Sequence, residues 1–323
     1  MDDNAFGTRD ARGHWAPNQP ISYPEVFVWP PRIAAALRWL IRDYILSWNL
    51  FYAGLALVTW VWLTPGVDTL SNLQPGWIAL IFLRNAAFVA LFFGAWHARL
   101  YLQKRQGKDF KFNPNWPEGP SPRFLGGSQL FENISLTFLS GVSLWTAYEV
   151  LALWAFANGF FATLSWTRHP LYLALLFLAV PLFREVHFYA VHRLIHWPPL
   201  YRRLHRVHHK NTNPSPWSGL AMHPGEHALY FSGILIHLVV PAHPVVALFQ
   251  LIHAGLTPAQ GHCGFDRVVT GPDKTFKTHA YAHYLHHKHF ECNYADGALP
   301  LDRWFGSFCD GTAAGIEAMK NRR

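Results

Sequence analysis

Residues 45–63 run for 19 positions without a formal charge. At about 1.5 Å of rise per helical residue, such a run covers roughly the 30 Å hydrocarbon core of a bilayer. Inside that core each backbone N–H and C=O must be satisfied within its own segment, so the run predicts a membrane-crossing helix. Comparable apolar runs follow at 77–96 and 134–156, and a fourth begins near Leu171. The fourth stays purely apolar only to Phe183, but its helical period continues through "REVHFYAVHRLIH", which predicts one long helix emerging from the membrane. The expected fold class is an all-α integral membrane protein, with about four transmembrane helices below a histidine-rich helical cap. Only 14% of the 323 residues are charged, and 15 Trp with 12 Tyr suit aromatic belts at the membrane surfaces.

The loops set the expected orientation. The 97–127 loop carries Arg99, Lys104, Arg105, Lys108, Lys111 and Arg123, whereas 64–76 has no Lys or Arg and 157–168 has one. The positive-inside rule then places both termini and the histidine region on the cytoplasmic side. Three parts follow: a cytosolic arm and interfacial helix over 1–44, four spans over 45–191, and a metal-binding catalytic cap over 192–323. In the first part Ile33, Leu37, Leu40, Ile41 and Tyr44 share one helical face. Within the cap, apolar runs at 228–240 and 245–255 are too short to span, so a half-inserted hairpin near 228–255 or a buried helix pair is expected. Arg84, Asn85 and Glu149 lie inside spans and must face protein or a water pocket.

The net charge of +8 sits beside apolar runs rather than in a basic tail, which favours a membrane surface and argues against a nucleic-acid partner. Cys263, Cys292 and Cys309 form no CxxC pair, which argues against a disulfide scaffold and a thiolate zinc site. The first residues lack the apolar core of a signal peptide, so insertion is expected to depend on the first span.

Seventeen of the 20 histidines fall between residues 187 and 289, and their spacing says more than their number. His192 and His196 stand one turn apart on one helical face. Pro198 and Pro199 end that helix, because the residue before a proline avoids helical geometry. His205, His208 and His209 follow at i, i+3, i+4, and "HYLHH" repeats the pattern with His283, His286 and His287. Such face-matched imidazoles are what convergent metal ligation requires. Eight ligands exceed the needs of one four-coordinate zinc and suit two six-coordinate ions, so a dinuclear site is expected. His223 and His227 in "MHPGEH", and His262 in "GHCGF", are expected as ligands or as groups that hold ligands. His97, His169, His237 and His243 read as core residues and His14 as exposed. Glu185, near the face of His192, is expected to accept an imidazole N–H and fix its tautomer, with an ion pair to Arg184 or Arg84 as the alternative.

Four stretches, "EVHFYAVHRLIHWPPLYRRLHRVHH", "WSGLAMHPGEH", "GHCGFD" and "HYLHHKHFECNYADGALPLDRWFGSF", together resemble the membrane-bound fatty acid hydroxylase/sterol desaturase superfamily, in its bacterial sterol-desaturase-like branch. The resemblance covers about residues 125–311. It implies four spans under a cytosolic cap that holds two irons, and an enzyme that uses O2 and two electrons on an unactivated C–H bond of a lipid. By the same resemblance His192 and His196 form the first histidine box, His205, His208 and His209 the second, and His283, His286 and His287 the third. His262 matches an additional family histidine and Glu185 the acidic position before the first box. Asn293 matches the Asn of an Asn-Tyr-Gly element, expected to support the ligands from behind, and Ala295 replaces its Gly.

Histidine-bound iron with open positions can activate O2, and zinc can occupy the same ligands on purification. The expected function is an O2-dependent di-iron oxygenase that hydroxylates or desaturates a membrane lipid, sterol-type or fatty-acyl. Electrons would come from a separate ferredoxin or cytochrome b5 type protein. The alternatives are a zinc-dependent membrane hydrolase acting on a lipid and a non-catalytic metal transporter. The second of these is disfavoured because the candidate ligands lie past the fourth span rather than along a path through the spans.

Overall fold

The computed structural model describes residues 3–117 and 119–322. Its frame is four helices, each long and apolar enough to cross a membrane: α1 (Ile33–Trp62), α2 (Pro75–Leu102), α3 (Gln129–Ala157) and α4 (Pro170–Ile195). Their outward faces expose Leu57, Leu83, Leu91, Leu139 and Leu175. On helices of this length, a ring of large exposed apolar side chains is the lipid-facing surface of a multi-pass membrane protein.

The first helix is interrupted where the sequence changes character. Ile33–Arg38 and the π-helical Trp39–Ile45 carry the amphipathic face, and at Ser47 the backbone leaves helical geometry. The Ser47 hydroxyl and the Asn49 amide both donate to the Tyr44 carbonyl, at 3.1 and 2.8 Å, and the helix resumes as Trp48–Trp62. Polar side chains that satisfy freed backbone groups let a helix break at membrane depth.

Beyond α4 come the short α5 (Arg206–His209), α6 (Pro224–Phe231) and α7 (Pro244–Gly261). The last of these is buried along nearly its whole length and packs against all four spans. Gly255 passes the Trp145 ring so closely that a Cβ there would sit 2.3 Å from it, so only glycine fits. The turn before α7 reaches the loop that joins α3 to α4. There the Ala242 N–H donates to the Ala162 carbonyl, and the Leu164 N–H to that of Ala242, both at 3.0 Å. The hairpin expected to be half-inserted near 228–255 therefore runs the full depth of the bundle. Its apolar runs are short because polar His253 and Thr257 face inward rather than toward lipid, and prolines make its turn.

The other end of the bundle carries everything else. The N-terminal strands β1 (Gly7–Arg9) and β2 (Trp15–Pro17) form a hairpin held by the Trp15 N–H donating to the Phe112 carbonyl at 2.9 Å. Strands β3 (Arg267–Gly271) and β4 (Lys274–Lys277) form a second hairpin, followed by α8 (Tyr281–His289). Phe112 stacks on Tyr284 of α8, with ring centroids 4.8 Å apart.

Within the spans, Arg84 pairs with Glu149, Asn85 Nδ2 donates to Glu149 Oε2 at 2.9 Å, and Arg84 Nη1 donates to the Leu63 carbonyl at 3.0 Å. The ionic groups that looked costly in the sequence thus satisfy one another. Removing one partner strands the other charge, so Arg84→Leu is expected to destabilise the protein by about 3–5 kcal/mol. Arg84→Leu/Glu149→Leu should recover most of that loss, and thermal unfolding in detergent reads both.

Candidate metal centre

Three helix ends and one helix cap bring the imidazoles together. His192 lies in the last turn of α4 and His196 caps it. The chain turns at Pro198, and His205, His208 and His209 follow on the Tyr201–His205 turn and α5. His262 caps α7, and α8 presents His283, His286 and His287. Nine imidazoles form two adjacent groups, His192, His196, His205, His209 and His286 in one and His208, His262, His283 and His287 in the other. Within each group the ligand atoms all lie within 4.8 Å of one another.

The grouping does not follow the chain. In each triplet the i, i+4 pair, His205 with His209 and His283 with His287, stays together, and the residue between them crosses to the other group. Residues four apart lie nearly above one another on a helix and can reach one ion, while a residue three along points to the side.

The separations fit metal ions. Nε2 atoms of His192 and His205, of His196 and His209, and of His208 and His262 are 3.2 Å apart, and those of His262 and His283 are 2.8 Å apart. Metal–nitrogen bonds of about 2.0–2.1 Å put neighbouring nitrogens roughly 2.9 Å apart in an octahedron and roughly 3.4 Å apart in a tetrahedron.

Four of the nine rings have their single proton placed by an acceptor at Nδ1. The Nδ1 of His192 donates to the Tyr294 carbonyl at 2.8 Å, that of His286 to Cys292 at 2.7 Å, and that of His262 to Pro258 at 2.9 Å. His205 Nδ1 meets Glu226 Oε1 at 2.7 Å. A carbonyl only accepts, so these Nδ1 atoms carry the single proton of a neutral ring and leave bare lone pairs on Nε2. Burial pushes the pKa of His205, His208, His209, His283, His286 and His287 well below the ordinary histidine value, and that of His262 down to about 4. His192 and His205, both held at Nδ1, aim Nε2 lone pairs at each other across 3.2 Å and repel unless a cation lies between them. The residues present fit two metal ions.

Several expected supporting residues have other tasks. Glu185 takes no imidazole proton. Its carboxylate accepts the Gly297 and Leu299 N–H groups at 2.7 and 3.0 Å, which ties the loop after α8 to α4. Seven residues separate it from His192, about 10 Å along the helix axis, which is out of reach. Nor does it pair with Arg184, which binds Asp296 and the Tyr230 hydroxyl. His223 and His227 stand outside both groups. His223 Nδ1 accepts the Gly225 N–H at 3.0 Å and caps α6, while His227 Nδ1 meets the Ser140 hydroxyl at 2.8 Å. His227 is turned toward α3, and His223 stands before the helix as its cap rather than on its face.

The carboxylate that orients a ligand is Glu226, one residue before His227. It is buried against His205 and fixes that ring. Its only signal in the sequence is a lone acid inside "MHPGEH". Asn293 braces the end of α8, since its Oδ1 accepts the Cys309 N–H at 2.9 Å and its Nδ2 donates to the Cys309 carbonyl at 3.0 Å. It holds a left-handed φ of 53°, which asparagine tolerates. Ala295 is not in that region and its N–H donates to Asp302 at 2.8 Å, so alanine replaces the expected glycine without strain.

A cavity of about 1000 Å³ meets both groups, through His192 and His205 on one side and His208, His262 and His283 on the other. It extends between the spans past Phe188, Met222, Trp48 and Tyr52, and its lining includes Trp39 and Ser47, at the interruption in α1, and the exposed Arg42, Asp43 and Lys277. Asn49, His253, Thr257 and Arg184 give its far wall a polar character.

Two metal ions per chain are expected by mass spectrometry of the purified protein, with His286→Ala and His283→Ala each removing about one. Loss of an orienting carboxylate typically weakens metal binding about 10–100-fold, so Glu226→Gln should do so in chelator competition, while Glu185→Gln leaves metal retention unchanged.

Comparison with known proteins agrees with this geometry. Residues 177–307 match the sequence model of the fatty acid hydroxylase family, a segment that contains all nine histidines. A Delta(7)-sterol 5(6)-desaturase of Gibberella zeae is 30% identical over 128 residues, 39% of each chain. Its counterpart in Candida albicans is 31% identical over 39% of this chain and 32% of its own. Methylsterol monooxygenase 1 of Gallus gallus is 27% identical over 64% of this chain and 67% of its own. The chain thus spans about two-fifths or less of the length of these two desaturases. No solved structure matches it. Residues 177–307, with their histidine boxes, thus carry a fatty acid hydroxylase segment, and the chain is similar to the sterol desaturases and the methylsterol monooxygenase.

Proposed function

We propose that this protein is an O2-dependent di-iron oxygenase that hydroxylates or desaturates an unactivated C–H bond of a membrane lipid. The observation that carries the reading is the convergence of nine buried or half-buried imidazoles, in groups of five and four, beside a cavity that extends between the spans. On six-coordinate ions, five and four nitrogens leave one and two open positions, which is what O2 chemistry needs and a closed structural site lacks. Irons held by these two groups would supply the O2 activation and oxidising power that C–H cleavage demands.

The chain's own residues prepare that chemistry. Glu226 and the carbonyls of Tyr294, Cys292 and Pro258 hold the rings so that lone pairs face inward. Phe188, which packs on His192 with ring centroids 4.9 Å apart, and Met222 line an apolar passage that keeps water from the reacting carbon. Residues on both sides of the break in α1 line the cavity, so an amphiphile lying at the membrane surface would enter beside the amphipathic segment.

The sterol desaturase and methylsterol monooxygenase relatives support a lipid C–H oxidation, with sterol-type and fatty-acyl lipids as the candidate substrates. The basic 97–127 loop and the arginines after His192 support a cytoplasmic position for the histidine end and both termini. The reaction, R–H with O2, two electrons and two protons giving R–OH and water, calls for an external donor such as a ferredoxin or cytochrome b5 type protein.

Proteoliposomes given ferrous iron, dithionite and ¹⁸O2 over total membrane lipid are expected to yield a hydroxylated lipid carrying ¹⁸O or a lipid with one new double bond. Chelation and His286→Ala should each reduce product to background. Lipid cleavage that proceeds without O2 or reductant would instead establish the zinc hydrolase.

A further inference from the structure

Eight of the nine imidazoles are buried. His196 alone among them is only partly buried. It is reached by a second cavity of about 800 Å³, which shares no lining residue with the first. The floor of this second cavity is aromatic. Tyr201 and Tyr294 stand 5.6 and 4.8 Å from the His196 ring, and Phe290 stands 4.8 Å from that of His209, a ligand of the same group. Its rim is cationic. Arg193 lies over the Tyr294 ring at 4.7 Å, Arg322 is held by donating to the Gly306 carbonyl at 2.6 Å, and exposed Arg202 faces them, with Glu291 the one carboxylate among the lining residues.

We propose that this second cavity is the port through which electrons enter the metal pair, and that its arginine rim docks an acidic one-electron carrier protein. The inference rests on the oxygenase reading above. A carrier seated on the rim brings its redox group to within one imidazole of the five-histidine group, whereas none of the other eight rings lines this second cavity. Lipid occupies the first cavity and the carrier the second, so both can be bound at once. Exposed Arg203 and Arg206 extend the positive surface beyond the rim, and opposite charge across such a contact steers encounter in a salt-dependent way. Two carriers each give up one electron per O2 consumed, with two protons taken from water. A phospholipid headgroup would also meet arginines here, but it neither needs the opening to His196 nor delivers electrons.

The test uses the full chain in phosphatidylcholine nanodiscs, with a plant-type [2Fe–2S] ferredoxin and the soluble haem domain of cytochrome b5 as probes. At least one carrier should bind at low salt, with affinity falling as salt rises. Arg202→Glu and Arg322→Glu should each weaken binding by about tenfold or more, while Arg105→Glu on the distant 97–127 loop does not. In the same variants carrier-driven turnover should fall about tenfold relative to dithionite-driven turnover. Equal weakening by Arg105→Glu overturns the port, as does a rim whose reversal abolishes binding to phosphatidylglycerol vesicles but not to either carrier. Wild-type turnover with neither a carrier nor dithionite, in protein that retains its metal, overturns the oxygenase reading instead, and the binding result separates the two.

Discussion

A neutral imidazole has two nitrogens and one proton, and the structure depends on where that proton is placed. Backbone carbonyls of Tyr294, Cys292 and Pro258, and the Glu226 carboxylate, each claim an Nδ1 proton. The opposite nitrogen of each ring is then obliged to present a lone pair to its neighbours. Burial keeps the rings neutral, so repulsion between lone pairs cannot be relieved by protonation at neutral pH. The end of α8, the cap of α7 and the first turn of α6 are placed by this requirement as much as by apolar packing.

The second constraint is the expense of polar groups at membrane depth. The bundle meets it by pairing them with one another or turning them to a cavity. Arg84 with Glu149 is the first case, and the polar wall formed by Asn49, His253 and Thr257 is the second. The α7 helix, enclosed by four spans, gives that wall a rigid support and carries His262 at its end. Glu185 and Arg184 clamp the 296–299 loop against α4, so the loop that follows the last ligands is anchored to the helix that bears the first.

Much of this was legible beforehand for a definite reason. Four spans announce themselves because lipid demands about 20 consecutive apolar residues, and eight candidate ligands because helical period repeats every three or four positions. Errors arose where a role depended on distance between elements. Glu185 shares the rough direction of His192 but lies about 10 Å along the axis, and α6 turns His223 and His227 away while presenting Glu226. The 228–255 stretch read as a half-inserted hairpin or a buried helix pair, and periodicity could not choose because the hydropathy of a helix enclosed by protein need not satisfy lipid.

The sequence by itself determined what a single helix can fix: which stretches cross a membrane, and which imidazoles share a face within each segment. Only the tertiary structure decided the partition into five and four, in which His208 and His286 leave their own triplets, and the recruitment of His262 from a helix cap. Spacing along a helix is set by its own backbone hydrogen bonds. Rotation and depth relative to a neighbour are set by side-chain packing between residues far apart in the chain, which local periodicity does not encode.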